Sequence, residues 1–255
     1  MLTVLRASGL VTVQDLGRAG RMHEALPRGG ALVRELLVCA NRAVRNPDGA
    51  AAIEILGRLV VRAEAELLVA TDSSRARVLR QGEELAIAPQ RRAAYLAVRG
   101  GVDAPLVLGG RGTLLCAGLG APMRAGDRIA PGSEPETDSD PPPTPGAGPV
   151  RIVPGPDRFA PDAIHALISA PYRVTSASDR VGTRLEGPAI PREAAERSRP
   201  MVCGAIEVPR DGQPIVLGPE HPTTGGYPLL AVVTTADLGR FFSVPLGGTV
   251  RFVLC

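Results

Sequence analysis

Lysine is absent from this 255-residue chain, so all 29 basic residues are arginine. That excludes a Walker lysine, a Schiff-base lysine and a biotinyl-lysine carrier within the chain. Any anion site must use arginine, backbone amides or a helix end. Tryptophan is also absent, and three Tyr and four Phe are too few to build a base-stacking surface. The four cysteines, Cys39, Cys116, Cys203 and Cys255, lie far apart with no CxxC among them. His23, His165 and His221 are equally scattered, so no zinc-binding spacing exists. Buried free thiols in a reducing compartment are the expectation. No apolar run reaches membrane-spanning length, and the N-terminus lacks the basic segment and apolar core of a signal peptide. A soluble, cytoplasmic protein is expected. The net charge of +3 gives no electrostatic case for nucleic acid or an anionic membrane.

What is abundant is punctuation. Thirty glycines and 25 prolines favour many turns and short elements over long helices. Short strand-type runs at residues 2–5 and 11–13 flank Ser8-Gly9, and runs at 53–56 and 59–61 flank Gly57-Arg58. Each pair reads as two strands joined by a turn. Val33, Leu36, Leu37, Ala40 and Val44 fall on one face of the clearest helix, which Asn46-Pro47 should stop. Residues 161–169 predict a short helix with proline in its first turn. Residues 191–199 are polar and expected to be exposed. Residues 131–149 hold seven prolines and four acidic residues and almost nothing large and apolar. Such a segment reads as a linker or long surface loop. It separates an N-terminal β-rich lobe, 1–130, from a C-terminal lobe, 150–255. The fold expected from this pattern is mainly β, a β-rich α+β protein rather than a doubly wound sheet.

Four stretches carry chemistry. Gln14-Asp15-Leu16-Gly17-Arg18 is a polar loop at a strand end, and on the residues alone an Asx turn closed by Asp15 and Gly17 is favoured over a site. Gly109-Gly110-Arg111-Gly112-Thr113 can cradle an anion or form a wide turn; no long helix pattern follows it, as a dinucleotide site would require. Arg180 and Arg184 flank Gly182. They can converge on a carboxylate or phosphate, or sit on a surface turn where Arg180 pairs with Asp179. Runs at 205–208 and 214–217 form a hairpin across Asp211-Gly212, because Asp-Gly supplies the positive φ of a tight turn. Thr223-Thr224-Gly225-Gly226-Tyr227 follows. Its glycines suit either a close approach of backbone amides to a ligand or a tight structural bend.

In order, the motifs VTVQDLGRAG, CANRAVRN, AYLAVRGGVDAPLVLGGRGT, VPGPD, SASDRVGTRLEG and GAIEVPRDGQPIVL with TTGGYP resemble the family of the 5-oxoprolinase C subunit. That family includes the KipA-type antagonist of a sporulation kinase inhibitor and the second carboxyltransferase-like half of urea carboxylase. The resemblance implies a cyclophilin-like β-barrel architecture in two lobes. It implies a B-like (KipI-type) partner and, in 5-oxoprolinase, an A-like protein as well. The assembly would open the lactam of 5-oxoproline to glutamate with ATP, which the complex uses; biotin enters only under a carboxyltransferase alternative.

Carried over motif by motif, the resemblance makes Gln14, Arg18, Arg111, Arg180, Arg184, Thr224, Gly225, Gly226 and Tyr227 substrate- or anion-binding candidates. Asp15 and Glu207 become acid/base or orienting candidates. No metal ligand is implied. The chain departs from the family pattern at Gly29, Val33 and Gly112, where polar side chains are missing. It also departs at Glu207, where glutamine is usual, and at Glu220-His221-Pro222 before TTGGYP. These departures motivate a second reading, a non-catalytic KipA-type module that binds a B-like protein.

Overall fold

The computed structural model describes residues 1–160, 162–191 and 198–255. The chain divides into two compact units. One comprises Met1–Ala19 and Gly29–Thr144, the other Gly20–Arg28 and Pro145–Cys255. Both are mainly β. Among the described residues no helix is long and apolar enough to cross a membrane.

The first unit contains β1 (Leu2–Gln14), α1 (Arg34–Ala43), β2 (Ala52–Ala63), β3 (Leu67–Thr71), β4 (Arg77–Leu79), β5 (Glu84–Ile87), β6 (Ala94–Val98) and β7 (Arg128–Ile129). The sheet order is β4-β3-β6-β2-β1-β7, with β5 also paired to β2. Two turns expected from the sequence are absent. Ser8-Gly9 and Gly57-Arg58 do not reverse the chain; β1 and β2 run straight through them, antiparallel to each other, with Gly9 opposite Gly57. The glycines permit a close crossing instead. A β-carbon on Gly57 would stand 2.0 Å from the Ser8 carbonyl oxygen, and one on Gly9 2.6 Å from that of Leu56. Glycine here marks backbone approach, which its pattern cannot distinguish from a turn.

The helix α1 buries Leu36, Leu37, Cys39 and Ala40 on one face, as its periodicity predicts. It ends three residues before the expected stop. Asn46 then ties the exit: its Nδ2 donates to the Val98 carbonyl at 2.8 Å, and its Oδ1 accepts from the Gly100 amide at 2.8 Å. The proline-rich segment falls on both sides of the unit boundary. Its first half is held to the first unit by hydrogen bonds: the Glu134 amide donates to the Gly100 carbonyl and the Thr137 amide to the Arg45 carbonyl, both within 3.0 Å. Backbone bonding orders what side-chain burial alone would leave free.

The second unit contains β8 (Val150–Pro154), α2 (Ala163–Ser169), β9 (Tyr172–Val174), β10 (Gly182–Glu186), β11 (Arg199–Pro200), β12 (Ala205–Glu207), β13 (Ile215–Leu217), β14 (Thr224–Gly225), β15 (Leu229–Val233), α3 (Leu238–Phe242), β16 (Thr249–Val250) and β17 (Phe252–Leu254). The proline expected in the first turn of α2, Pro161, and residues 192–197 of the polar stretch lie outside the described residues. Eight strands run β16-β9-β10-β13-β12-β15-β8-β17. The two outer strands are one stretch of chain broken at Arg251. It pairs with β9 before the break and with β8 after it, which brings the sheet nearly full circle into a barrel. Tyr172, Phe241 and Phe252 fill its interior, with the Phe241 and Phe252 rings stacked at 6.1 Å. The Asp-Gly hairpin forms as expected: Gly212 has φ +74°, and Asp211 accepts from the Gln213 amide at 3.0 Å. A separate two-stranded ribbon, β11 with β14, stands off the barrel.

Candidate functional site

Each unit gathers part of the candidate set, and the two gatherings differ in kind. In the first unit, Gln14 ends β1 and the next residues turn under the glycine loop at 107–113. Asp15 accepts from the Gly17 amide at 2.8 Å through Oδ1 and from the Arg111 amide at 2.6 Å through Oδ2. Arg18 is buried and fully occupied by the loop: its guanidinium donates to the carbonyls of Val107 (2.9 Å), Gly112 (2.9 Å) and Gly110 (3.1 Å). Glycine is required at 112, because a β-carbon there would lie 2.7 Å from Asp15 Oδ1 and 3.0 Å from Gln14 Oε1. Gln14 donates to Thr12 and to the Thr113 carbonyl, both at 3.1 Å, and its Oε1 is buried without a partner among the described residues. This cluster is chiefly a set of ties that hold the loop's shape. Arg111 leaves the loop half-buried, donates to the Ala104 carbonyl, and lines a polar cavity of about 390 Å³ with Asp103 and Glu134.

Two residues of this support escaped the sequence reading. Glu54 is fully buried and accepts from the Leu32 amide at 2.7 Å and from the Tyr95 hydroxyl at 2.6 Å. The same hydroxyl oxygen accepts from the Val33 amide at 2.9 Å. A lone carboxylate inside the apolar run IEIL was the signal.

In the second unit Arg180 and Arg184 have opposite surroundings. Arg180 is buried and its Nε meets Glu220 Oε1 at 2.6 Å, both side chains 3% exposed. Glu220, which departs from the family pattern, is thus the buried counter-ion of Arg180. Next to it His221 is buried, its Nδ1 2.8 Å from the Pro222 carbonyl oxygen. A carbonyl only accepts, so Nδ1 carries the proton, and burial holds the ring below its ordinary pKa and neutral. Arg184 is exposed, and its guanidinium has no partner among the described residues. It lines a groove of about 430 Å³ together with Tyr227, Ile215, Pro209 and Gln213.

Strand register places Glu207 beside that groove. Arg184 is opposite Ile215 on β13, and Ile215 is opposite Glu207 on β12. Directly paired residues share a face, so the arginine and the carboxyl stand in one row, two strand spacings or about 10 Å apart. Glu207 is 5% exposed. On its own strand it shares a face with Ala205, which packs in an apolar cluster with Met201, Leu217 and Leu229. No side-chain partner reaches it among the described residues, and burial alone pushes its carboxyl up to about 7. Gly225 lies over it: a β-carbon there would meet Glu207 Oε1 at 2.9 Å and Met201 Cε at 2.7 Å. Part of the TTGGYP stretch is a strand rather than a tight bend. Thr224 and Gly225 are strand residues of the ribbon with β11; Gly226 has open space above it and Tyr227 lines the groove.

A profile of the family described as carboxyltransferase domain, subdomain A and B, matches residues 25–254. The chain belongs to that family. It is 33% identical to the 5-oxoprolinase C subunit of Escherichia coli (strain K12) over 286 aligned positions, covering 100% of this chain and 91% of that protein. It is 28% identical to the urea amidolyase of Lachancea kluyveri, covering 95% of this chain but 16% of that much longer protein. The crystal structure of TTHA0988 superimposes with a TM-score of 0.86 at 30% identity, covering 99% of this chain. The chain spans 55% of the length of that structure.

Proposed function

We propose that this chain is the C-like component of an ATP-dependent, lactam-opening amidohydrolase of the 5-oxoprolinase type, which converts 5-oxoproline to glutamate together with A-like and B-like partners. The observation that carries the reading is the Arg184 guanidinium in a groove, unpaired among the described residues, in one row with the carboxyl of Glu207. The end-to-end similarity to the C subunit of a 5-oxoprolinase supports it.

An unactivated lactam is a poor electrophile, and phosphorylation of its oxygen by ATP in the complex makes ring opening feasible. Arg184 and Tyr227 hold the substrate carboxylate, since a guanidinium fork matches that group. Thr224, Gly225 and Gly226 supply loop contacts, and Glu207 faces the reacting amide. Gln14, Asp15 and Arg18 keep the loop that presents Arg111 in shape. Co-expression with neighbouring A-like and B-like proteins, followed by a glutamate-release assay, tests the reading. An intact complex with no ATP-dependent turnover of 5-oxoproline or related lactams overturns it.

A second reading is a KipA-type module that binds a B-like protein without turnover. The hairpin tip of the first unit favours it: Leu106, Val107 and Leu108 are consecutive, apolar and exposed, with Leu106 65% accessible. Capture of the B-like protein without turnover supports this reading, and failure to capture it ends it.

A further inference from the structure

Both faces of an amide can be matched by a glutamine side chain, whose carbonyl accepts from N–H and whose NH2 donates to C=O. A carboxylate cannot do this, because it only accepts. Set against a lactam, it satisfies the N–H and leaves the lactam oxygen facing a second acceptor. The group that satisfies both carboxylate oxygens is a carbon bearing two parallel N–H donors, as in an amidinium or guanidinium, and such a pair is charge-assisted and bidentate.

Glu207 is built for that partner. It is buried, and no side chain pairs with it among the described residues. Among the described residues, the elements packed around it offer no charge in compensation. Its neighbours on β13 and β15 are Ile215 and Leu229, and Gly225 on β14 lies against its oxygen. Nearby on β11, Arg199 pairs with Asp157 through Nη2, while its Nε is buried without a partner among the described residues. The free cation in the row, among the described residues, is Arg184, a strand beyond Ile215 and about 10 Å away. A buried carboxyl left this way is costly unless a ligand completes it. We propose that the ligand of this groove is a small carboxylic acid bearing an N–C–N group: its carboxylate on Arg184, its two parallel N–H donors on Glu207. The inference rests on the amide-opening reading for the place of the groove, and it replaces the lactam of that reading with the corresponding cyclic amidine as the preferred ligand.

The test is calorimetric titration of the full-length chain with 5-oxoproline and with 2-iminopyrrolidine-5-carboxylate, which differ only in C=O against C=NH2+. At pH 8 the wild type should favour the imino acid by about tenfold or more, the scale of one charge-assisted pair. That preference should shrink towards pH 5.5 as the carboxyl takes a proton. Glu207→Gln should reverse it in favour of 5-oxoproline, and Arg184→Ala should weaken both acids alike. Equal preference in wild type and E207Q overturns the inference, as does a wild type that binds neither acid. The pH series in the wild type decides the matter even if E207Q folds poorly. Turnover of 5-oxoproline by a wild-type complex with no imino preference overturns this inference while leaving the lactam reading intact.

Discussion

Gly225 lies directly against the carboxyl of Glu207, so close that a β-carbon would stand 2.9 Å from Oε1. The contact joins the glycine-rich stretch after the Asp-Gly hairpin to a titratable group on the barrel strand β12. It gives Gly225, though not Gly226, a steric reason, and it adds to the burial of the carboxyl.

That burial makes stability depend on pH. The Glu207 carboxyl is raised from 4.5 to about 7 on folding. The folded state therefore binds its proton more tightly than the unfolded state. Its contribution is complete below about pH 4.5 and is lost as pH rises through about 7. The span corresponds to at most about 3–4 kcal/mol. E207Q removes the titration, so its stability relative to wild type should improve between pH 5 and pH 8. Thermal melts of both proteins across that range check this; a constant difference would place the carboxyl in contact with water.

The buried pair Arg180–Glu220 should behave as structure. Arg180→Ala strands a carboxylate that is 3% exposed and should cost about 3–5 kcal/mol in urea denaturation. Replacing both partners with apolar residues of similar size should cost much less than the single change.

Arg18 should also act through stability. Its guanidinium closes on three loop carbonyls, and Arg18→Lys keeps the charge but loses the planar fork. Both R18A and R18K should destabilise the first unit, R18A by about 3 kcal/mol. Equal stability of R18K and wild type in denaturant titration would contradict the fork's role.

Leu108 has φ +54° at an exposed hairpin tip next to Gly109 at +85°. Both centre residues are in the left-handed region, where a leucine is strained. Leu108→Asn should raise stability by about 0.5–1 kcal/mol, read from the denaturation midpoint.

The sequence shows these features unevenly, for physical reasons. The Asp211-Gly212 hairpin was legible because its chemistry is local: one positive φ and one Asx hydrogen bond. The helix α1 was legible because its burial repeats at the helical period. Gly9 and Gly57 were misread as turns because their role exists only when two distant segments cross. The same holds for Arg180, whose partner Glu220 is forty residues away and belongs to a stretch that looked like lost function. Arg18 and Arg184 look alike in sequence, each an arginine one or two residues after a glycine. Only tertiary placement shows one spent on carbonyls and the other lining a groove, unpaired among the described residues. The proline-rich segment is poor in large apolar residues, yet backbone hydrogen bonds that composition cannot reveal tie its first half to the first unit.

The most direct test follows glutamate release and ATP consumption together in the complex assembled with A-like and B-like partners, comparing wild type with Arg184→Ala. Arg184 is exposed and unpaired among the described residues, so its loss should leave folding unchanged. The account predicts that the wild-type complex couples ATP consumption to opening of an added cyclic amide acid. It predicts that R184A raises KM by about 10–100-fold, the worth of one charge-assisted contact. ATP consumption without ring opening, or an R184A complex indistinguishable from wild type, would contradict it.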